Sequence, residues 1–409
     1  MYRRYTVRLF PTPEQEELMW KHAHAARFLY NYMLDLQIGR YKNSRKHLSV
    51  FEMISEITLM TKQCEFKWLK NVCKHSLGEV CRDLDKAYNC YFKKLTGMPK
   101  FKSKKKTKIA FPVRGEISAS YFKQQNIFVV PKIGRIKCNN KYTVPTGWKR
   151  SGENPIKNPR IQYIKSSKKW ILTFVMSIDK QEVLLTDESM GIDLGIKELA
   201  VVAVGDKKLV FHNINKSKRM RALEKKKKHI KRAIDRKYRI FNGYGTLEKC
   251  QTWEKSKSIE KYEQILREIE AKMANIRKNY IHKITRQLVN MLPERVVMED
   301  LNIQGMLKNK YLAKSISEQN FYFFIQCMKY KCEEYGIEFV QADKYFPSSK
   351  LCSCCGYKNK NLELKDREWM CSDCGTHHDR DYNAAINLMN YTEAVSTTAK
   401  NLVDAKLLA

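Results

Sequence analysis

The chain of 409 residues is long enough for two or three domains, and its hydrophobic content of 43% and aromatic content of 11% exclude a disordered protein. Lysine and arginine outnumber aspartate and glutamate by 78 to 43, giving a net charge of +35, which indicates a polyanionic partner. No apolar run reaches the roughly 20 residues of a membrane-spanning helix. We therefore expect nucleic acid as the partner and no membrane association.

The first predicted element is a strand over residues 5–10, where apolar and polar side chains alternate. This start differs from a secretory signal, so the thirteen cysteines are expected to be reduced thiols plus one metal site in a cytoplasmic protein. Thr12 and Gln15 have capping-box spacing, with Pro13 at the first helical position. A helical region is predicted from there to about residue 95.

Residues 93–108 contain eight lysines and no acid, around the turn Gly97-Met98-Pro99. Such a segment is typical of a linker that follows a phosphate backbone, and a solvated charge run is the alternative. Short β-branched and aromatic segments then extend to about residue 185, as at 126–130 and 170–175, and predict an antiparallel, barrel-like sheet. The N-terminal strand is expected to join this sheet, which makes the helical region an insertion.

A third region begins near residue 186. Residues 207–239 hold fifteen lysines and arginines against two acids, and residues 254–292 have the pattern of a long amphipathic helix. We predict a basic helical hairpin over residues 207–292.

Asp193 lies in the short apolar segment Met190-Gly191-Ile192-Asp193-Leu194-Gly195, and a second apolar segment follows at 199–204. A buried acid is costly unless it is paired or bound to a metal. This pattern suits both an RNase H-like nuclease and an actin-like ATPase. The structural alternative is an acid at the exposed end of a strand.

Two further acids favour the nuclease. Glu299 ends the apolar segment Val296-Val297-Met298, and Asp381 stands at the start of a predicted helix. Carboxylates that converge from two strands and a helix suit two Mg²⁺ ions, which sit about 3.5–4 Å apart during phosphodiester cleavage; Mn²⁺ is an alternative. Asp300 is expected to point to the opposite face of its strand, and Asp379 could cap the helix instead.

Two C-x-x-C pairs, Cys352 with Cys355 and Cys371 with Cys374, are separated by fifteen residues. This spacing predicts a closed, structural Cys₄ zinc site, a zinc ribbon over residues 350–376. Cys354 is expected to be a spectator, and His377 or His378 would complete the alternative Cys₃His set. The remaining eight cysteines are expected to pack in cores. They are Cys64, Cys73, Cys81, Cys90, Cys138, Cys250, Cys327 and Cys332.

A resemblance spans nearly the whole chain. The segments 191–195, 297–302 and 379–385 resemble the three RuvC motifs of TnpB, a family of transposon-encoded relatives of type V CRISPR effectors. Phe346-Pro347-Ser348-Ser349-Lys350 and the four metal-spaced cysteines are similar to that family's zinc ribbon and its approach. Tyr30-Asn31 and Gly97-Met98-Pro99-Lys100-Phe101-Lys102 resemble its N-terminal half.

The resemblance implies an α/β and α+β multidomain fold. Its parts are a β-barrel wedge domain (1–10 and 109–185), a helical recognition domain (11–108) inserted into it, and an RNase H-like, RuvC-type nuclease domain (186–409) that contains the zinc ribbon. It implies Asp193, Glu299 and Asp381 as the catalytic, Mg²⁺-binding triad. Asp381 is preferred to Asp379 because the family motif places the metal-binding acid just before x-Asn-Ala-Ala. Asn383 is expected either to assist that metal site or to hold the helix start.

The function that the resemblance implies is an RNA-guided DNA endonuclease. Its partners would be a guide RNA from the transposon end and double-stranded target DNA, bound by a nucleoid-associated monomer with its RNA. Three alternatives stay open. They are an unguided transposase or nuclease, a guided DNA-binding regulator without cleavage, and a miniature CRISPR effector.

Overall fold

A computed structural model describes residues 2–44, 47–104, 107–114, 116–117, 122–124, 126–139, 156–242, 255–363 and 365–392. The chain divides into two compact units, Met1–Ile178 and Asp179–Ala409. None of the helices in these described ranges is long and apolar enough to cross a membrane.

The first unit is built on an antiparallel sheet. Its strands are β1 (Tyr2–Phe10), β2 (Ala110–Pro112), β3 (Glu116–Ile117), β4 (Phe122–Gln124), β5 (Ile127–Val130), β6 (Gly134–Asn139), β7 (Ile156–Ile164) and β8 (Lys169–Ser177). They follow the order β2-β7-β8-β1-β6-β5-β4, with β3 beside β7. The predicted N-terminal strand therefore lies inside the sheet, and its alternate residues Tyr5, Val7 and Leu9 are buried.

The described helices of this unit fall between β1 and β2 in sequence, which is where the predicted insertion would lie. They are α1 (Pro13–Ser44), α2 (Val50–Met60), a 3₁₀ helix (Cys64–Asn71) and α3 (Lys74–Phe92). The predicted capping box is present at the start of α1. Gln15 N donates to Thr12 Oγ1 at 3.3 Å, and Thr12 N donates to Gln15 Oε1 at 3.1 Å. Among the described residues, no pairing joins the two edges of this sheet into a closed barrel. The barrel therefore stays a prediction.

The second unit contains a five-stranded mixed sheet. Its strands are β9 (Thr186–Leu194), β10 (Glu198–Val204), β11 (Lys207–His212), β12 (Pro293–Glu299) and β13 (Glu338–Ala342), in the order β11-β10-β9-β12-β13. The first three strands along the chain form an antiparallel meander, and β12 runs parallel to both β9 and β13.

Residues 207–212 correct the predicted start of the basic hairpin, because they form edge strand β11. Leu209 and Phe211 pack against the core on every second position, and the preceding Lys207 and Lys208 gave the segment the charge pattern of the basic helix that follows. The hairpin itself is α4 (Lys218–Asn242) and α5 (Lys257–Val289), which pack through Met220, Ile230, Ile234, Ile269 and Met273. Its predicted connection, residues 243–254, lies outside the described residues.

Four more helices and a small hairpin complete this unit: α6 (Ile303–Met306), α7 (Ala313–Gln319), α8 (Phe321–Tyr335), β14 (Glu368–Met370), β15 (His377–Asp379) and α9 (Arg380–Met389). The five-stranded sheet is covered on both faces. Helices α5 and α8 pack on the face that carries Ile192, Val202 and Met298. Helix α9 packs on the other face, against Val201 and Val297.

Candidate metal centres

Asp193 and Glu299 end two adjacent parallel strands on the same face of the sheet. In the β9–β12 register, Gly191 pairs with Val297 and Ile192 with Met298. One residue further along, Asp193 lies level with Glu299. Side chains two residues apart share a face of the sheet, so Asp193 lies on the same face as Gly191, and Glu299 on the same face as Val297. Both acids therefore lie on the face that α9 covers.

Helix α9 brings the third acid to this place, because Asp381 lies in its first turn. Burial raises the pKa of Asp193 to about 8, and the negative charges of Glu299 and then Asp381 add to the shift. Burial also raises the pKa of Glu299. Glu299 and Asp381 therefore both lie near enough to Asp193 for their negative charges to disfavour its ionisation.

Two arginines offset part of this negative charge. Arg380 and Arg367 both act against the raised pKa of Asp193, and Arg367 Nη1 lies 3.5 Å from Asp381 Oδ1. Burial is the main cause of the raised pKa of Asp193, and the two arginines offset it only in part. Carboxylate oxygens are hard donors, and a divalent cation of the Mg²⁺ type would supply further positive charge at this place.

The two neighbouring acids have other partners. Asp300 lies just beyond β12, is exposed, and accepts a hydrogen bond from Gln341 Nε2 at 3.4 Å. Asp379 is the N-cap of α9, and its side chain accepts from the backbone N–H groups of Asp381 and Tyr382. Burial opposes ionisation of Asp379, but the salt bridge from Lys208 Nζ at 2.8 Å and these backbone bonds outweigh it and lower its pKa.

The four predicted zinc ligands meet in the second unit. The sulfurs of Cys352, Cys355, Cys371 and Cys374 all lie within 4.8 Å of one another. The pairs Cys352–Cys374 and Cys355–Cys371 are each separated by 3.6 Å. Zinc–sulfur bonds of about 2.3 Å in a tetrahedron place sulfurs about 3.8 Å apart, so this arrangement fits one Zn²⁺.

Both knuckles of this site have the same local structure. Each is a C-x-x-C-G turn in which the glycine N–H donates to the carbonyl of the first cysteine, at 2.9 Å for Gly356 and 3.0 Å for Gly375. Both glycines have positive φ, at 76° and 70°, a conformation that favours glycine. The repeated C-x-x-C-G pattern is visible in the sequence, and its glycines are a further signal for the site beside the cysteine spacing.

Cys354 and His378 lie next to the four ligands. Cys354 is exposed, whereas His378 is buried with Nε2 at 3.0 Å from Cys352 Sγ. Together with Cys352 they form a second group of possible ligand atoms within 4.8 Å. His378 Nε2 can satisfy the Cys352 thiolate as a hydrogen-bond donor without replacing any of the four cysteines.

The remaining cysteines divide by burial. Those that are buried, as predicted, are Cys73, Cys81, Cys138, Cys327 and Cys332. Cys90 is half-buried, Cys64 is exposed, contrary to the prediction, and Cys250 lies outside the described residues. Cys64 is exposed because it starts the short 3₁₀ helix, of which only Leu69 is buried.

Asn383 links the zinc-ribbon segment to α9. The side chain is buried, its Nδ2 donates to Leu351 O at 2.6 Å, and its Oδ1 accepts from Ser353 N at 2.9 Å. Asn387 Nδ2, one turn later, donates to Leu351 O and Ser348 O, both at 2.8 Å. These contacts hold the first knuckle against the helix that carries Asp381, a role that differs from the two expected for Asn383.

Sequence reasoning missed three residues near the acids, namely Gly191, Arg367 and Lys208. A Cβ atom on Gly191 would overlap the backbone of α9. The signal for Gly191 was a glycine inside an otherwise apolar strand, which indicates close approach of another backbone. Arg367 and Lys208 are far from Asp381 and Asp379 in sequence, so no local pattern points to them.

Family models match three parts of the chain. A helix-turn-helix domain model matches residues 1–46, a probable transposase model matches residues 173–310, and a Cas12f1-like TNB domain model matches residues 321–388. Within the first range, the described residues contain β1 and the single long helix α1.

Two bacterial relatives are similar over most of their length. A Streptomyces pristinaespiralis protein named "Putative RNA-guided DNA endonuclease" is 27% identical over 389 residues, covering 95% of this chain and 88% of the relative. A similarly named Escherichia coli K12 protein, InsQ, is 25% identical over 407 residues, covering 96% and 92%. A mimivirus protein named TnpB-like protein L770 is 23% identical over 401 residues, covering 94% of this chain and 72% of the relative.

A solved structure with a similar fold is the cryo-EM structure of a Cas12f1–sgRNA–target DNA complex. The TM-score is 0.58 at 16% sequence identity, over 92% of this chain and 82% of the other. At that identity the comparison shows a shared mixed α/β fold.

Proposed function

We propose that this chain, a member of the TnpB family, is a transposon-encoded, RNA-guided DNA endonuclease. The main support for this proposal is that Asp193 lies level with Glu299 in the β9–β12 register, on the face of the sheet covered by the helix that carries Asp381. The relatives named as putative RNA-guided DNA endonucleases or as TnpB-like match 94% or more of this chain. The proposed function therefore concerns the chain as a whole.

The three acids are proposed to hold divalent cations, Mg²⁺ or Mn²⁺. Two such cations, when bound, would supply Lewis-acid activation of water and stabilisation of the leaving oxygen in phosphodiester hydrolysis. The chain's own contribution is orientation. The β9–β12 register fixes Asp193 beside Glu299, and the Asp379 cap fixes the helix turn that carries Asp381. Arg367 restrains the Asp381 carboxylate from the ribbon side.

The architecture supports this assignment. An antiparallel three-strand meander followed by parallel strands, with helices on both faces, is the layout expected of the RNase H-like domain at 186–409. The ribbon is proposed to bind one structural Zn²⁺ through its four cysteines. The first unit is proposed to contain the wedge sheet (1–10 and 109–185) and the helical recognition domain (11–108).

The charge of the chain supports nucleic-acid partners. A net charge of +35 suits a protein that neutralises many phosphates at once. The proposed partners are a guide RNA from the transposon end and the duplex target. Base pairing with the guide would select the target, and the protein would read a short flanking motif.

The proposal is tested by purifying the protein from cells that carry its transposon end and sequencing the RNA that co-purifies. We expect one defined RNA species, and replacing its guide segment should redirect cleavage to a matching plasmid that carries the flanking motif. Cleavage without any defined RNA would establish an unguided nuclease or transposase instead. A bound RNA that directs binding but no cleavage would establish a guided regulator.

A further inference from the structure

A cavity of about 600 Å³ lies within the first unit. It is bounded by α1, α3, residues 102–104 and 107–109, and strands β2 and β7. Its volume falls in the range of about 300–1,000 Å³ that is usual for sites that bind small organic ligands. The proposed nuclease chemistry does not use this cavity.

The inner surface of the cavity is apolar, while its rim is basic. Small apolar side chains line the inside, including Ala23, Ala26, Val80 and Ala110. Six basic side chains also line it: Arg27, Lys102, Lys104, Lys108, Arg160 and Lys165. An apolar floor under a cationic rim suits a ligand that has a flat apolar part and a negatively charged part.

The one acid in the lining does not balance this charge. Asp83 is already in a salt bridge with Arg160. Arg27, Lys104 and Lys108 have no acidic partner among the described residues. Burial lowers the pKa of His24, and the positive charges of Arg27 and Lys104 lower it further. The positive charge of Arg27 and Lys104 therefore extends to His24, which also lines the cavity.

Two hydrogen bonds hold the lysine-rich segment in position over α1. Asn31 Nδ2 donates to Lys102 O at 3.0 Å, and Lys102 N donates to Asn31 Oδ1 at 2.7 Å. The Lys102 ammonium lies 3.4 Å from the centre of the Tyr30 ring. These contacts join Tyr30-Asn31 to the Gly97–Lys102 segment and hold Lys102, which lines the cavity, in its position.

One aromatic side chain, Trp20, lines the cavity. Trp20 is half-buried, and its ring packs 4.9 Å from Tyr163 and 5.3 Å from Trp170. His24 lies one turn further along α1, 5.9 Å from Trp20. Aromatic side chains beside a basic groove are the usual means of stacking an unpaired base.

We propose that this cavity receives one unpaired nucleotide of a bound nucleic-acid strand. The base lies on the apolar floor beside Trp20, and the flanking phosphates contact Arg27, Lys104 and Lys108. This inference rests on the proposed function, because that function supplies the nucleic acid. The same chemistry is offered by the guide RNA and by a displaced strand of the target DNA.

The wild-type protein provides the first test. The protein with its co-purified RNA is irradiated with ultraviolet light, with and without target DNA, then digested with nuclease and trypsin for mass spectrometry. We expect a nucleotide adduct on the tryptic peptides 9–21 and 22–27, which carry Trp20 and His24. A ribonucleotide mass identifies the RNA as the source, and a deoxyribonucleotide mass that needs target DNA identifies the DNA.

Charge-reversal variants provide the second test. Arg27→Glu and Lys104→Glu should each weaken binding of the identified strand on the order of tenfold and reduce the salt dependence, the slope of log K against log salt, by about 1. Lys42→Glu is the matched control, because Lys42 is an exposed basic residue of the same helix outside the cavity. Its effect should be clearly smaller.

Two results together would overturn the proposal, namely no adduct on either peptide and cavity variants that bind like Lys42→Glu. In a preparation that still cuts guided targets, they would reject the cavity assignment alone. A preparation that neither carries RNA nor cuts would reject the proposed function. In that case the cavity assignment is tested with target DNA alone, by the same adduct and affinity measurements. No adduct on either peptide, together with no loss of DNA affinity in the cavity variants, would reject the cavity assignment too.

Discussion

Gly191 of β9 lies so close to Ala385 of α9 that a Cβ atom on the glycine would stand 2.0 Å from the Ala385 carbonyl oxygen. The backbone nitrogen of Met389 would be 2.3 Å away. Backbone atoms of a packed helix cannot move aside singly, so the whole of α9 depends on this missing side chain. Helix α9 carries Asp381. Gly191, which has no side chain, therefore sets the position of a candidate metal ligand.

Gly191→Ala should therefore both destabilise the protein and reduce cleavage. Overpacking of this kind costs about 1–3 kcal/mol or more, and the displaced helix carries Asp381 away from Asp193. Chemical denaturation and a plasmid cleavage assay measure the two effects. Gly39→Ala is the control, because nothing lies within 4 Å of its added Cβ. In the interior of α1 that change should stabilise by about 0.5–1 kcal/mol. Equal behaviour of the two variants would contradict the close-packing argument.

Removal of a candidate metal ligand should abolish cleavage while target binding stays nearly intact. We expect Asp193→Ala to lower the cleavage rate at least about 100-fold, because the ligand supports several kcal/mol of transition-state stabilisation. Rates of plasmid cutting and gel-shift affinities for the guided target separate the two effects.

Asp300→Ala is the matched control for this experiment. Asp300 follows Glu299 directly but is exposed and bonded to Gln341, so its removal should leave the cleavage rate within a few-fold of wild type. If Asp193→Ala cuts normally, or if Asp300→Ala is the inactive variant, the site assignment is wrong.

The stability of the metal-free protein should fall as pH rises. The pKa of Asp193 is about 8 in the folded protein against an ordinary value of 3.8, so between these values the folded state binds more protons than the unfolded state. Stability from this group is fully present below about pH 4 and is lost as pH rises through 8. In EDTA, Asp193→Asn should remove this loss and raise the melting temperature at neutral pH.

Addition of Mg²⁺ should reverse the order of the melting temperatures of wild type and Asp193→Asn. The cation supplies the positive charge that the crowded carboxylates lack, so wild type should gain melting temperature on adding Mg²⁺ and Asp193→Asn should gain less. Thermal melts of both proteins across the pH range, with and without Mg²⁺, measure this. An identical response to Mg²⁺ would place the cation elsewhere.

Zinc content should depend on Cys371 and be independent of Cys354. Elemental analysis is expected to find about one zinc per chain in wild type and in Cys354→Ser, and clearly less in Cys371→Ser. The two substitutions are the same chemical change, one at a buried member of the four-sulfur cluster and one at its exposed neighbour. Loss of zinc in Cys354→Ser with retention in Cys371→Ser would favour the group of Cys352, Cys354 and His378.

Features encoded within a few consecutive residues were predictable. The capping box at Thr12, the alternation in β1, and the strands that carry Asp193 and Glu299 all follow from short-range periodicity. The C-x-x-C pairs likewise predicted a cluster that the fold does form. Strand β11 was missed because its lysines gave the segment a helical-hairpin appearance, while Leu209 and Phe211 pair it with the sheet.

The sequence by itself thus determined most of the elements and the cysteine cluster, because these depend on local backbone preference and on side-chain chemistry. Only the tertiary structure decided which atoms meet. Whether Asp379 or Asp381 faces the other acids depends on where α9 begins, and the Asp379 side chain turns back to cap that helix. The cavity at Lys102 depends on Asn31, seventy-one positions away. Such contacts are set by strand register and helix packing between distant segments, and no short stretch of sequence contains that information.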